Sequence, residues 1–341
     1  MRSFSSSATA ATAATAAASS SSKSNSIRHL ISISDLTTPE FTSLVNRAEY
    51  HKKLIKSGDK PSNEISQALI GKLVALIFTK RSTRTRISSE GAAVYFGGHP
   101  MFLGKDDIQL GVNESLYDTT KVISSMTSCI FARVNSHSDI QQLCQHSSVP
   151  IINALCDTYH PLQAICDILT IKETFGNMKG LKLAWIGDSN NVINDLAIAS
   201  LRSGINVSIA TPPGIEISKF IIDKANEISK ETGAILELTN DPKIASKDAN
   251  ILVTDTFISM GEESQKLAKL KQFEGFQISS ELTSLAAPNW KFMHCLPRHH
   301  EEVTDEVFYH ENSIVFPEAE NRLYAAIATI EAFVVNKGKF I

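Results

Sequence analysis

Between Thr79 and Arg86 the sequence reads TKRSTRTR, so four cationic side chains and four hydroxyls share eight consecutive residues. Such a cluster suits an anion. Hydroxyls donate singly, guanidinium groups donate in pairs, and both match phosphate oxygens. The apolar run Leu73 to Phe78 precedes the cluster and a helical pattern from Ile87 to Phe96 follows it. The cluster therefore falls where a strand hands over to a helix, where free backbone N–H groups and the positive end of the helix dipole also face outward. Read locally, the same residues would make a solvated basic turn capped by Ser82. The position at a strand's carboxyl end favours the anion grip. A Walker-type loop is excluded, because no glycine-rich stretch leads into a Lys-Ser or Lys-Thr pair here.

Ligands of open α/β sheets gather at the carboxyl ends of strands. Polar residues at the other expected strand ends are Arg133, Asp157 to Gln163, Asp188 to Asn191, Asp255 to Gly261 and His294 to Arg298. Arg133 and His160 can donate to a developing oxyanion. Asp255 can pair with an ammonium group, while Asn191, Ser259 and the Met260 backbone can hydrogen-bond an amino-acid head group. Taken singly, Asp255 is equally a turn former and Cys295 a small buried hydrophobe.

These residues need a scaffold that brings strand ends together. Short apolar runs predict strands at Leu73 to Phe78, Cys129 to Val134, Lys182 to Ile186, Asn206 to Ala210, Ile235 to Leu238, Ile251 to Thr254 and Lys291 to Cys295. Helices are predicted between them, one from Ile87 to Phe96 ending at Gly97-Gly98 and one from Leu162 to Phe175 after Pro161. The alternation implies an α/β fold of two doubly wound domains, each a mostly parallel sheet flanked by helices, with the active site in the cleft between them. The expected divisions are a tail over 1–34, a first domain over 35–160, a linking helix over 161–178 and a second domain over 179–317. An apolar helical pattern closes the chain from Glu318 onward and should dock on a core.

The 341 residues suffice for two cores, and a formal charge of -3 gives no general attraction to nucleic acid or anionic lipid. No apolar run reaches the roughly 18 residues of a membrane span. The five cysteines, Cys129, Cys144, Cys156, Cys166 and Cys295, lack paired metal-type spacing, so neither a disulfide framework nor a zinc site is expected. Met1 to Ser34 is rich in Ser, Ala and Thr, carries Arg2, Lys23 and Arg28, and contains no acidic residue. That composition reads as a disordered mitochondrial transit peptide addressing the matrix; a tail without an address, on a cytoplasmic protein, is the alternative. Its removal should leave folding unchanged.

The segment FTKRSTRTRISSE at Phe78 to Glu90 resembles the S-x-R-T-R signature of the aspartate and ornithine carbamoyltransferase family. Further matches follow in the family's order: FLGKDDIQLG at Phe102, FARV at Phe131, HPLQ at His160, GDSNN at Gly187, DTFISMG at Asp255, HCLPR at His294 and FPEAENR at Phe316. The resemblance implies carbamoyl phosphate as donor substrate, an amine acceptor, no cofactor and no metal. It implies that Ser82, Thr83, Arg84 and Thr85 hold the phosphate while Arg133, His160 and Gln163 surround the carbamoyl group, with Arg322 a further contact. The carbonyls of Cys295 and Leu296 would hold the carbamoyl NH2. Arg322 reaches that site only if the helix over 318–341 returns to the first domain. The Ser-Met-Gly element and HCLPR resemble the ornithine branch, so L-ornithine is the expected acceptor, bound by Asn191, Asp255, Ser259 and Met260. Phe257 stands where that branch leads one to expect tryptophan. Cys295 and Asp255 both remain candidates to take or guide the amine's proton. Gln109 would reach a neighbouring subunit's site in a homotrimer. Rival readings are carbamoyl transfer to putrescine or N-acetylornithine, a catalytically silent binding protein, and a dinucleotide oxidoreductase. The last is disfavoured by Ser189 and Asn190 where a glycine turn is needed.

Overall fold

The computed structural model describes residues 27–109, 113–258 and 266–341. Two all-parallel sheets form the molecule. The first has the order β2-β1-β3-β4, with β1 at Leu73–Phe78, β2 at His99–Gly104, β3 at Cys129–Arg133 and β4 at Ile151–Leu155. The second has the order β7-β6-β5-β8-β9, with β5 at Lys182–Ile186, β6 at Asn206–Ala210, β7 at Leu236–Thr239, β8 at Ile251–Thr254 and β9 at Lys291–His294. Central strands such as β1, β3 and β8 are buried almost throughout, which is why they read as near-continuous apolar runs.

Each sheet reverses its winding once, between β1 and β3 and between β5 and β8. At such switch points the connections leave in opposite directions and open a crevice at the strand ends. Register sharpens the effect. Phe78 lies opposite Arg133, and Thr254 lies opposite His294, so the segments after these strands emerge side by side.

The Pro161–Phe175 helix joins the halves. Its first eleven residues are all buried, Pro161 opens it, and Gly176 at φ 71° closes it. It packs against the Thr38–Lys56, Asn191–Arg202 and Val315–Ile330 helices, and the last of these also lies on the Thr83–Tyr95 helix. The C-terminal helix thus contacts elements of the first half; beyond Ile330 it continues only as a π turn over Glu331–Val335. One apolar cluster runs through both halves, and a second fills the other face of the second sheet around Ile186, Leu252, Phe257 and Phe292.

Several expectations need correction. Strands β2 and β4 went unread, because Pro100 and Asn153 interrupt their apolar runs. The helix expected from Ile87 begins at Thr83: Ser82 accepts a hydrogen bond from the Thr85 N–H as N-cap, and the polar first turn carries no apolar periodicity because it faces the cleft. Gly97, at φ 77°, ends this region where a Cβ would come within 2.7 Å of the Ser66 carbonyl. Residues 1–26 lie outside the described residues, but the boundary at 34 falls within ordered structure. Leu30 bridges to Ile152 of β4, Leu30 and Ile33 are fully buried, and Ser32 and Ile33 bond to Asp195 of the second half. Two apolar residues in a serine-rich setting gave the sequence no periodicity by which to separate this strap from the tail.

Candidate active site

The strand ends of the two sheets face one another across a cleft of about 800 Å³, the size of a small-molecule site. On the first side, Ser82, Thr83, Arg84 and Thr85 line it from the first turn of their helix. The Ser82 hydroxyl bonds the Thr85 hydroxyl at 3.0 Å. Arg133 follows directly at the end of β3, where a register irregularity between Ala132 and Arg133 re-aims the chain. Its carbonyl accepts the Thr79 N–H at 2.9 Å, tying the two loops together. Arg322 arrives from the C-terminal helix and donates to the Thr85 hydroxyl at 3.3 Å, to His160 Nε2 at 3.1 Å and to the Gln163 side-chain oxygen.

Charge in this corner is strongly unbalanced. Burial, with Arg322 and Arg84 close by, lowers the Arg133 guanidinium to about 10, so it still carries its charge at neutral pH. Burial and the same three arginines push His160 well below the usual histidine range, leaving a neutral ring. Arginine has no acceptor, so His160 Nε2 must accept from Arg322, and the proton of the neutral ring therefore sits on Nδ1. Nδ1 is buried without a partner among the described residues, as is Arg133 Nε. Unspent buried donors beside converging guanidinium groups form a site for an anion and a polarised oxygen.

Across the cleft, Asp255 follows β8 and Cys295 follows β9. The Cys295 thiol donates to Asp255 Oδ1 at 3.2 Å, and burial beside Asp255 and Glu318 pushes the thiol well above its usual range. Cys295 is thus a protonated donor rather than a thiolate. The other Asp255 oxygen accepts from Asn190 Nδ2 at 2.9 Å. Asn191 lines the cleft while donating to the Cys156 carbonyl at 2.6 Å. Leu296 adopts φ 60°, a costly conformation for its side chain, and its carbonyl accepts from Arg84; its N–H donates to His294 Nδ1 at 2.8 Å. Ser259 and Met260, expected at an amino-acid head group, lie outside the described residues. Asp255, His294 and Cys295 place ligand-type atoms within 4.8 Å of one another, yet each already serves a hydrogen bond.

Further side chains refine the sequence-based expectations. Gln163 lines the cleft, but its amide is spent internally, with Nε2 donating to Asp167 at 2.7 Å and Glu318 at 3.1 Å. Those two carboxyls escaped notice. Burial raises Asp167 to about 6 and drives Glu318 well up, so the pair holds a proton and leaves limited negative charge beneath Arg322. Asn190, expected only as one of the polar residues after β5, caps the Asn191–Arg202 helix and fixes Asp255, a role that its place in GDSNN before a helix signals. Phe257 is buried and stacks on Phe273 at 4.4 Å, so the smaller ring finds its own partner. Gln109 lies away from this cleft, on an apolar recess of about 280 Å³ formed with Leu73, Met101, Leu103 and Val122.

Two family models match consecutive parts of the chain: the carbamoyl-P binding domain of aspartate/ornithine carbamoyltransferase over residues 28–173 and its Asp/Orn binding domain over 179–333. The chain is 69% identical to a mitochondrial ornithine transcarbamylase of Pachysolen tannophilus, covering 92% of this chain and 91% of that one. It is 63% identical to an ornithine carbamoyltransferase of Saccharomyces cerevisiae, covering 93% and 96%. Among solved structures, a mitochondrial ornithine carbamoyltransferase from Coccidioides immitis is similar with a TM-score of 0.86 at 57% identity, covering 92% of this chain and all of that one.

Proposed function

Because the chain belongs to the aspartate/ornithine carbamoyltransferase family, we propose that it transfers the carbamoyl group of carbamoyl phosphate to L-ornithine, giving L-citrulline and phosphate. The observation that carries this reading is the convergence of Arg84, Arg133 and Arg322 on a neutral His160, opposite the Asp255 carboxylate. The guanidinium side suits a phosphate and a carbonyl oxygen; the carboxylate side suits an amine. Ser82, Thr83, Arg84 and Thr85 hold the phosphate. Arg133 and His160 Nδ1–H donate to the carbonyl oxygen as the amine attacks, and this preorganised pair stabilises the tetrahedral oxyanion by about 3 kcal/mol per donor. Arg322 carries charge to the leaving phosphate, and Gln163 orients Arg322. Phosphate leaves, and the carbonyl re-forms.

An amine ordinarily protonated up to a pH of about 10 must lose a proton before or during attack. Asp255 is the acceptor-side group, since the Cys295 thiol keeps its proton and only donates a hydrogen bond to Asp255. The Leu296 carbonyl receives the carbamoyl NH2 once Arg84 exchanges that carbonyl for phosphate. Asn191, Ser259 and Met260 hold the amino-acid head group. The chain works as a homotrimer in which Gln109 serves a neighbouring site; support comes from the exposed apolar side chains of Met101, Val122 and Met126 around the Gln109 recess. Residues 1–26 address it to the mitochondrial matrix, in keeping with their acid-free composition and with the mitochondrial designation of the Pachysolen and Coccidioides relatives.

The deciding experiment offers ornithine, N-acetylornithine, putrescine and aspartate separately, with carbamoyl phosphate, to protein lacking residues 1–26. Fastest turnover with ornithine is expected. Faster carbamoylation of any other amine overturns the acceptor assignment.

A further inference from the structure

Asp195 is fully buried in the Asn191–Arg202 helix, does not line the cleft, and has no part in the steps above. Among the described residues, all three of its side-chain hydrogen bonds go to other elements. Oδ1 accepts from the Ser32 hydroxyl at 2.7 Å and the Ile33 N–H at 2.8 Å, and Oδ2 accepts from the His160 N–H at 2.8 Å. We propose that Asp195 is a positioning residue for carbamoyl transfer, holding His160 in its donating pose, and that the strap at residues 30–35 belongs to the active-site support. The inference rests on the reading of His160 as an oxyanion donor.

His160 is the N-cap of the Pro161–Phe175 helix, and its side chain makes no cap bond. In a capping box the N-cap N–H is closed by the side chain three residues on. That residue is Gln163, whose amide is spent on Arg322, Asp167 and Glu318. The missing acceptor comes from another helix, as the Oδ2 of the buried Asp195 carboxyl. Asp195 does not act alone on this loop. Asn191 holds the Cys156 carbonyl and Asn194 holds the Thr158 carbonyl at 3.0 Å, so one helix of the second half grips the approach to His160 at three points. With the backbone fixed by Asp195 and Nε2 fixed by Arg322, the ring has one orientation, and its Nδ1–H is left for the substrate. Losing the Oδ2 contact would leave a buried N–H without an acceptor, and the loop would shift to find one.

Asp195→Asn keeps the shape but presents a donor to one side, so it cannot accept from both His160 and the strap. A misplaced catalytic group costs on the order of 100-fold, so kcat for citrulline should fall about 100-fold while the ornithine KM stays within about threefold. Affinity for inorganic phosphate, read by calorimetry, should stay at the parent value, since Ser82 to Thr85 hold it and report an intact fold. Parent-like kcat overturns the inference, and so does phosphate affinity that falls in step with kcat, the mark of a structural role alone. If Asp195→Asn does not fold, Ser32→Ala decides: a severalfold lower kcat with unchanged phosphate affinity supports the inference, and an unchanged kcat overturns it. A parent protein that forms no citrulline defeats the functional reading and this inference with it; an active parent with an equally active Asp195→Asn defeats this inference alone.

Discussion

At the scale of single residues, protonation decides the roles. A thiol held protonated against Asp255 is a poor nucleophile, because reactivity belongs to the thiolate. Cys295 should therefore react with iodoacetamide at pH 7.5 far more slowly than free cysteine, as followed by mass spectrometry; rapid alkylation would show that the thiolate is populated. Arg84→Ala removes one charge-assisted contact to phosphate, typically worth about 1.5–3 kcal/mol, so phosphate affinity should fall roughly 10- to 100-fold with the melting temperature little changed. Asp195 adds a pH signature. Burial raises its carboxyl to about 7 against the hydrogen bonds from Ser32, Ile33 and His160. The folded protein thus keeps a proton that the unfolded chain releases near pH 4, and stability from this group declines as pH rises from about 4 to about 7. The stability gap between parent and Asp195→Asn should shrink over that window in thermal melts. A gap constant with pH would remove the titration from Asp195.

At the scale of elements, the strap over 30–35 and the C-terminal helix serve the chemistry as well as the core. Both cross from one half to the other's chemistry: the strap reaches Asp195, and the helix carries Arg322 to Thr85 and His160. Truncation tests the first. Removing residues 1–26 should leave melting temperature and turnover unchanged. Removing 1–34 deletes Leu30 and Ile33, both fully buried and each worth about 1.5–3 kcal/mol, besides the bonds to Asp195. A fall in melting temperature on the order of 10 °C is expected at about 2–4 °C per kcal/mol. Equal melting curves for the two truncations would mean the strap is dispensable.

At the scale of the whole molecule, the recess beside Gln109 and the exposed Met101, Val122 and Met126 form the apolar surface that the proposed trimer would cover. A charge buried there without a partner is costly, so Val122→Glu should yield monomers by light scattering and lose most turnover. An intact trimer with Val122→Glu would place the interface elsewhere. Residues 1–34 fused to a reporter should direct it to mitochondria; diffuse cytosolic signal would refute the address.

The anion grip at Ser82 to Thr85, the strand-end residues Arg133, Asp255 and Cys295, and most central strands were legible in the sequence. Buried parallel strands write continuous apolar runs, and chemistry at their ends writes short polar motifs next to those runs. Strands β2 and β4 were not legible because single residues, Pro100 and Asn153, break a pattern only five or six residues long. Nor were Asp167, Glu318 and Asp195, because a buried polar residue on a helix looks like any exposed one until its partners arrive from elsewhere. What the sequence alone determined is which groups could hold a phosphate, a carbonyl and an amine. Only the tertiary structure decided that His160 is neutral with its proton on Nδ1, that Cys295 is a donor, and that Asp195 holds the His160 backbone. Those states depend on burial and on distances of about 3 Å between residues far apart in the chain.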